Sequence, residues 1–281
     1  MRETITTYEP DNSLKKGYLN IFKEILIEIK ENRWLTFQLF KRDFLAIYRQ
    51  SFIGVLWAVV VPFVSVGTFV LLAQADILVI GDIGTPYIIY SLLGMAFWQL
   101  FATGLIAGSN SLVNAGPMIV KINFSKKSLV MASTGQSIVS FLIQFTLAII
   151  LLLVYKIPPH TSIFLIPILV IPIFFITLGF SFILSIVNGI MRDIGNGISV
   201  IITFFMFLTP ILYLKPSSGI LAWITSINPI YYLISGPREL ILSNTISDWY
   251  GFVISSFFSF IILVFALIVF HLTETRVTER I

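Results

Sequence analysis

The chain has 281 residues, 57% of them hydrophobic and 11% charged, with a formal net charge of +4 and no cysteine. A soluble domain carries about 25% charged residues, so this chain cannot cover itself with a water-facing surface, and its small positive excess makes no case for nucleic acid. The absence of cysteine excludes disulfides, thiolate metal sites and cysteine nucleophiles, and His160 and His271 are too far apart to form a metal cluster with each other.

Residues 1–51 read as a cytoplasmic N-terminal segment and 52–281 as one membrane domain. The first long apolar run begins near Phe52, so no signal peptide is expected, and Ala73-Gln74-Ala75 is a chance likeness to a cleavage site. Ahead of that run, Tyr18–Lys30 and Arg33–Arg49 both show helical periodicity. In the second, Trp34, Phe37, Phe40, Phe44 and Ile47 recur every three or four residues, with Lys41, Arg42 and Arg49 elsewhere. That pattern predicts an amphipathic helix in the headgroup layer with its aromatic side down, a plain membrane-entry anchor being the alternative.

A helix crossing the hydrocarbon core needs about 20 apolar residues. Six runs meet that need: Phe52–Ala75, Tyr87–Gly108, Leu129–Tyr155, Ile163–Met191, Gly197–Leu214 and Gly251–Leu272. Pro167 and Pro172 predict a kink or a late helix start in the fourth. With six spans, 15 of the 18 Lys and Arg fall on the side that holds both termini. The positive-inside bias makes that side cytoplasmic. The stretch Lys215–Asp248 is predicted to dip into the outer leaflet and return. Its apolar pieces Ile220–Ile227 and Ile230–Ile234 are too short to span, and Asn228-Pro229 and Gly236-Pro237 should each break a helix. A crossing there would also bury Arg238 and Glu239 and carry Arg276 and Arg280 to the outside. The fold class is therefore all-α: six transmembrane helices, an N-terminal interfacial helix and short re-entrant helices between spans five and six.

No Asp, Glu, Lys or Arg lies within the six runs, and no G-x-x-x-x-G-K-[ST] loop is present. Ion-coupled transporters keep ionisable groups near the midplane, and intramembrane enzymes need buried acids, bases or metal ligands. Neither class fits, and any energy for transport must come from another polypeptide. The spans hold neutral polar stripes instead: Ser133, Gln136, Ser140 and Gln144 on the third, and Thr177, Ser181, Ser185 and Asn188 on the fourth. On the second, Tyr87, Tyr90, Gly94, Phe97, Phe101, Gly104 and Gly108 form one line. Helix packing is one reading, since small residues and hydroxyls join membrane helices. An uncharged pathway is the other, with Tyr87, Tyr90, Phe97, Phe101, Ser181, Ser185, Phe207 and Tyr213 as lining candidates.

The ordered set Arg42-Asp43, Tyr48-Arg49-Gln50-Ser51, Gly54, Trp57 and Pro62 resembles the entry signature of type-2 ATP-binding-cassette exporters. It is most similar to the branch whose membrane subunit exports O-antigen, capsule or teichoic-acid chains. Asn114 through Phe124 and Lys126 resemble that family's first cytoplasmic loop, although Ser125 stands where a proline is common. Arg192-Asp193 with Phe207–Tyr213, and Asn228-Pro229-Ile230 with Arg238, are similar to its later segments. The resemblance implies a homodimer joined to two copies of a cytoplasmic ATPase that holds ATP and Mg2+, with no cofactor or metal in this chain. It implies coupling and gating by Arg42, Asp43, Tyr48, Arg49, Asn114, Lys121, Lys126, Arg192 and Asp193. An external gate would use Trp223, Asn228, Pro229, Tyr231 and Arg238, and the cargo would be a lipid-linked glycan in the inner membrane. Export of a drug, lipid or small metabolite is the alternative within the superfamily, and a passive channel or a scaffold the alternatives outside it.

Overall fold

The computed structural model describes residues 18–48, 56–75, 81, 83–116, 118, 124–191 and 193–278. Among them every regular element is helical. Two N-terminal helices, α1 (Tyr18–Glu31) and α2 (Arg33–Tyr48), precede α3 (Trp57–Gln74), α4 (Tyr87–Asn114) and α5 (Lys126–Val154). A 3-10 turn over Thr161–Leu165 and a single turn α6 (Ile166–Leu169) lead into α7 (Ile171–Ile190), then α8 (Asp193–Leu208). Two short helices, α9 (Ile220–Ile227) and α10 (Pro229–Ser243), form a hairpin before the long α11 (Trp249–Thr278).

Among the described residues, four helices are long and apolar enough to cross a membrane: α4, α5, the run from Thr161 to Ile190, and α11. Val59–Gln74 and Asp193–Leu208 are shorter apolar helices. Their crossing follows from parity. Lys127, at the start of α5, touches Glu28 of α1 and Glu274 near the end of α11, which puts these three points on one face, here the terminal face. The packing of Gly104 on Ser137 and of Gly108 on Thr134 makes α4 antiparallel to α5. Thus α4 starts on the opposite face, and α3 must carry the chain there. Phe175 against Phe260 and Phe182 against Phe270 make α11 parallel to α7, so α11 also starts on the far face. The chain therefore crosses once between Ile190 and Trp249, and α8 is the apolar helix described there. At 1.5 Å per residue the 16–18 residues of α8 and α3 cover about 24–27 Å, close to the ~30 Å of hydrocarbon. Six passages result.

Lipid offers no hydrophobic reason for helices to associate, so close contact has to supply it. Gly104 and Gly108 do so. A Cβ at Gly104 would sit 2.7 Å from Ser137 Oγ and Thr177 Cγ2, and one at Gly108 would collide with the hydroxyls of Thr134 and Ser181. Aromatic rings fill the rest of the α4 surface: Phe97 meets Phe141 at 5.2 Å, and Trp98 meets Phe205 at 6.1 Å.

Some boundaries differ from the sequence reading. The fifth span starts at Asp193, not Gly197, and stops at Leu208 because Pro210 disfavours helix at Thr209. The expected break at Gly236-Pro237 does not occur: α10 runs through Pro237 to Ser243. Burial of Ser235, Gly236, Pro237 and Arg238 supplies the packing that offsets the lost backbone bond. Arg238 is buried even though the hairpin does not cross.

Single cysteines at the exposed His160 and Ser217 should react with an impermeant thiol reagent from one side of the membrane. A cysteine at exposed Asn196 should react only from the other. Labelling of all three from one side would refute six passages.

Candidate functional site

On the terminal face, the N-terminal helices are fixed to the bundle by a buried ion cluster. The Lys127 side chain is 1% exposed, and its Nζ lies 2.8 Å from Glu28 Oε2 and 2.5 Å from Glu274 Oε1. Ser125 Oγ donates to Glu28 Oε1 at 2.7 Å, and His271 Nδ1 stands 3.5 Å from Glu274. Glu28, His271 and Glu274 bring ligand-type atoms within 4.8 Å of one another. The cation among them is the Lys127 ammonium, which makes this an ion-pair cluster by geometry rather than a metal centre.

The same face gathers α2 and the ends of α4, α7 and α8. Gln136 Nε2 donates to Phe40 O at 2.8 Å, seating α2 on α5, where the Phe40 ring packs beside Gly135. Arg42 pairs with Asp43 at 2.7 Å and donates from Nη1 to Met118 Sδ at 3.2 Å, so α2 touches the stretch after Asn114. Trp34 and Phe37 remain exposed while Phe40 and Phe44 are half-buried, so the aromatic face of α2 is divided between outside and bundle. Asp193 opens α8, where a carboxylate suits the positive end of the helix dipole. Arg49, Lys121 and Arg192 lie outside the described residues, as does the side chain of Tyr48; Asn114 is exposed and Lys126 half-buried.

Beneath these ends lies a neutral amide junction. Asn188, fully buried two residues before the end of α7, donates from Nδ2 to Ser109 O and to Asn110 Oδ1, each at 3.0 Å. Its Oδ1 accepts from Gly195 N at 2.9 Å, within the first turn of α8. A Cβ at Gly195 would stand 2.5 Å from Asn110 Oδ1, so glycine permits the approach. Asn188 was legible in the sequence as the end of a polar stripe; Asn110 and Gly195 carried no signal of their own.

The eight lining candidates divide sharply. Tyr90, Phe97, Phe101, Ser181 and Ser185 are buried inside the single chain, where they hold helices together. Ser181 Oγ donates to Gly104 O at 3.3 Å, and the Phe101 ring stands 6.5 Å from Phe205. Phe207 is exposed, and Tyr87 and Tyr213 are half-buried.

On the far face, Asn228 caps α10: its Oδ1 accepts from Ile230 N at 3.0 Å, and Pro229 takes the first helical position, where a missing N–H does no harm. The Asn228 Nδ2 donates to Thr209 Oγ1 at 2.9 Å. Arg238, 3% exposed, donates from Nη1 to Ile211 O at 2.6 Å and stacks its guanidinium 3.9 Å from the Tyr90 ring centre. Among the described residues no carboxylate lies within ion-pair distance of it. Lys215 sits over the Tyr231 and Tyr232 rings at 5.4 and 5.5 Å. Burial first, and then the nearby Glu239 charge, push the Tyr231 phenol up to about 12, so it remains a neutral hydroxyl. Trp223 is exposed on α9.

The profile of the ABC-2 type transporter family matches residues 35–242. The chain is 24% identical over 226 residues to the O-antigen export system permease protein RfbA of Myxococcus xanthus, covering 79% of this chain and 85% of that protein. To an O-antigen export system permease protein RfbA of Klebsiella pneumoniae it is 26% identical over 263 residues, covering 90% of this chain and 98% of that one.

Lys127→Ala should leave the half-buried Glu28 and Glu274 carboxylates facing each other and cost about 3 kcal/mol, the low end for breaking a buried pair because both carboxylates keep some contact with water. The expected result is a lower Tm in detergent and faster proteolysis between α1 and α2. Unchanged values for both would show that the cluster does not hold the N-terminal helices.

Proposed function

The chain belongs to the ABC-2 type transporter family, and from that premise we propose that it is the permease subunit of an exporter of lipid-linked polysaccharide of the O-antigen kind. The observation that carries the reading is the alignment of relatives named as O-antigen export permeases over most of this chain, end to end in the Klebsiella protein. The composition of the spans supports it. They contain no acidic or basic group to bind a coupling ion, so a separate cytoplasmic ATPase supplies the energy from ATP and Mg2+.

In this reading the terminal face is cytoplasmic and both ends of the chain lie there, in the inner membrane. The lysines and arginines concentrated on that side support this orientation. Two copies of the chain pair with two ATPase subunits, which dock against the ends of α4, α5, α7 and α8 and against Arg42 and Asp43. The glycan path runs between the two copies, because the rings inside each copy are taken up by packing while Phe207 keeps an exposed face. The α9–α10 hairpin, with Trp223 exposed and Arg238 anchored, forms the outer gate.

Proteoliposomes holding the permease and its ATPase should move a lipid-linked glycan only when both subunits and ATP are present. Transport by the permease alone would overturn the reading, as would normal surface glycan in cells lacking the gene. Asp193→Arg should lower transport per ATP hydrolysed about tenfold, or release the ATPase, by inverting charge at the docking end of α8. Wild-type transport and assembly in that variant would remove Asp193 from the interface.

A further inference from the structure

Asn188 uses both ends of its amide to join three helix ends that face the ATPase side. Its Nδ2 bonds to the last turns of α4 through Ser109 O and Asn110 Oδ1, and its Oδ1 receives the Gly195 N–H of α8. That N–H is one of the first four in α8, which have no acceptor within their own helix. Asn188 therefore caps α8 from the end of α7 and fastens the cap to α4. Asn110 in turn donates from Nδ2 to Ile106 O at 2.9 Å, so its carbonyl is fixed in place as the acceptor. On this face α4 ends at Asn114, α7 ends at Ile190, and α8 begins at Asp193. These ends are among those to which the proposed function assigns ATPase contact.

We propose that Asn110 and Asn188 are positioning residues that lock the ATPase-facing ends of α4, α7 and α8 into one moving body, so that force on any one of them is delivered to all three. The assignment of those ends rests on the proposed function; the locking itself does not. Ordinary helix glue would be spread along the spans, as the hydroxyl stripe of Thr177, Ser181 and Ser185 is. This junction sits instead at the helix ends, and Asn188 Oδ1 accepts a backbone N–H that has no acceptor within its own helix. Neutral amides also suit the depth: they bond in low dielectric without the penalty of a buried charge.

Spin labels at exposed Asn114 and Asn196, on the full-length permease in nanodiscs, measure the distance from the end of α4 to the start of α8 without need of substrate or ATPase. A single narrow distance is expected for the otherwise unaltered chain. Asn188→Ala and Asn110→Ala should each broaden it, and the double variant should be no broader than the worse single one. Asn188→Asp keeps the acceptor for Gly195 N but removes the donor to α4, and should broaden it as well. With the ATPase bound, the glycan moved per ATP should fall about tenfold in each alanine variant at equal complex yield, a coupling loss of ordinary size. Narrow distances in the variants would overturn the proposal, as would an unchanged transport ratio accompanied only by a lower Tm. If the wild-type complex hydrolyses no ATP or moves no glycan, the proposed function fails, while the distances still decide whether the helix ends are locked.

Discussion

A charge left in hydrocarbon costs several kcal/mol even where water and snorkelling relieve it, and the rest of this structure follows from that exclusion. Charged side chains collect at the two faces, and each face holds them by different chemistry. The terminal face pairs a buried lysine with two glutamates from helices at opposite ends of the sequence. The far face buries an arginine against backbone carbonyls and a tyrosine ring. Between the faces only neutral groups remain, and their hydroxyls mostly turn back on their own helices: Thr177 Oγ1 donates to Ile173 O and Ser181 Oγ to Thr177 O.

The spans and the hairpin were legible because lipid imposes a length and a polarity that a sequence cannot disguise. The runs beginning at Tyr87 and Leu129 lie within observed helices that extend further into polar sequence, to Asn114 and back to Lys126. Extension past the core is set by capping and by tertiary contact, which hydropathy does not record. The α9 boundaries, Ile220–Ile227, were legible because Asn228-Pro229 stops the helix for a local reason. Pro237 misled because its cost depends on packing several helices away, and local rules do not register that.

Function was less legible in single positions than in their order. Tyr90, Phe97 and Phe101 line up on one face of α4 whether they pave a path or pack a core, since both uses need the same periodicity. Within the single chain, Phe97 and Phe101 are buried against α5 and α8, a contact that periodicity alone did not reveal. Lys127 shows the opposite error. Counted only as one of the positive charges that orient the chain, it is the residue that joins α1, α5 and α11. A charge tally cannot distinguish a solvated lysine from a buried one whose partners lie 99 and 147 residues away.

The contrast between the faces bears on how each can move. The lysine cluster carries its own counter-charges, so the N-terminal helices can shift with the bundle as a unit and leave no ion unpaired. Arg238 has no such partner among the described residues, and a guanidinium cannot give up its proton to become neutral. Its bonds run to the carbonyl of Ile211, in the turn after α8, and its ring contact is on α4. Lifting α10 away would strand that cation in low dielectric until water or another acceptor reached it. Gly94 tightens the same joint, since a Cβ there would lie 2.7 Å from Ile211 O and 2.8 Å from Arg238 Nη1. Separating α10 from α4 and from the turn after α8 therefore requires that this cation be hydrated or offered another acceptor, so the two changes are one event.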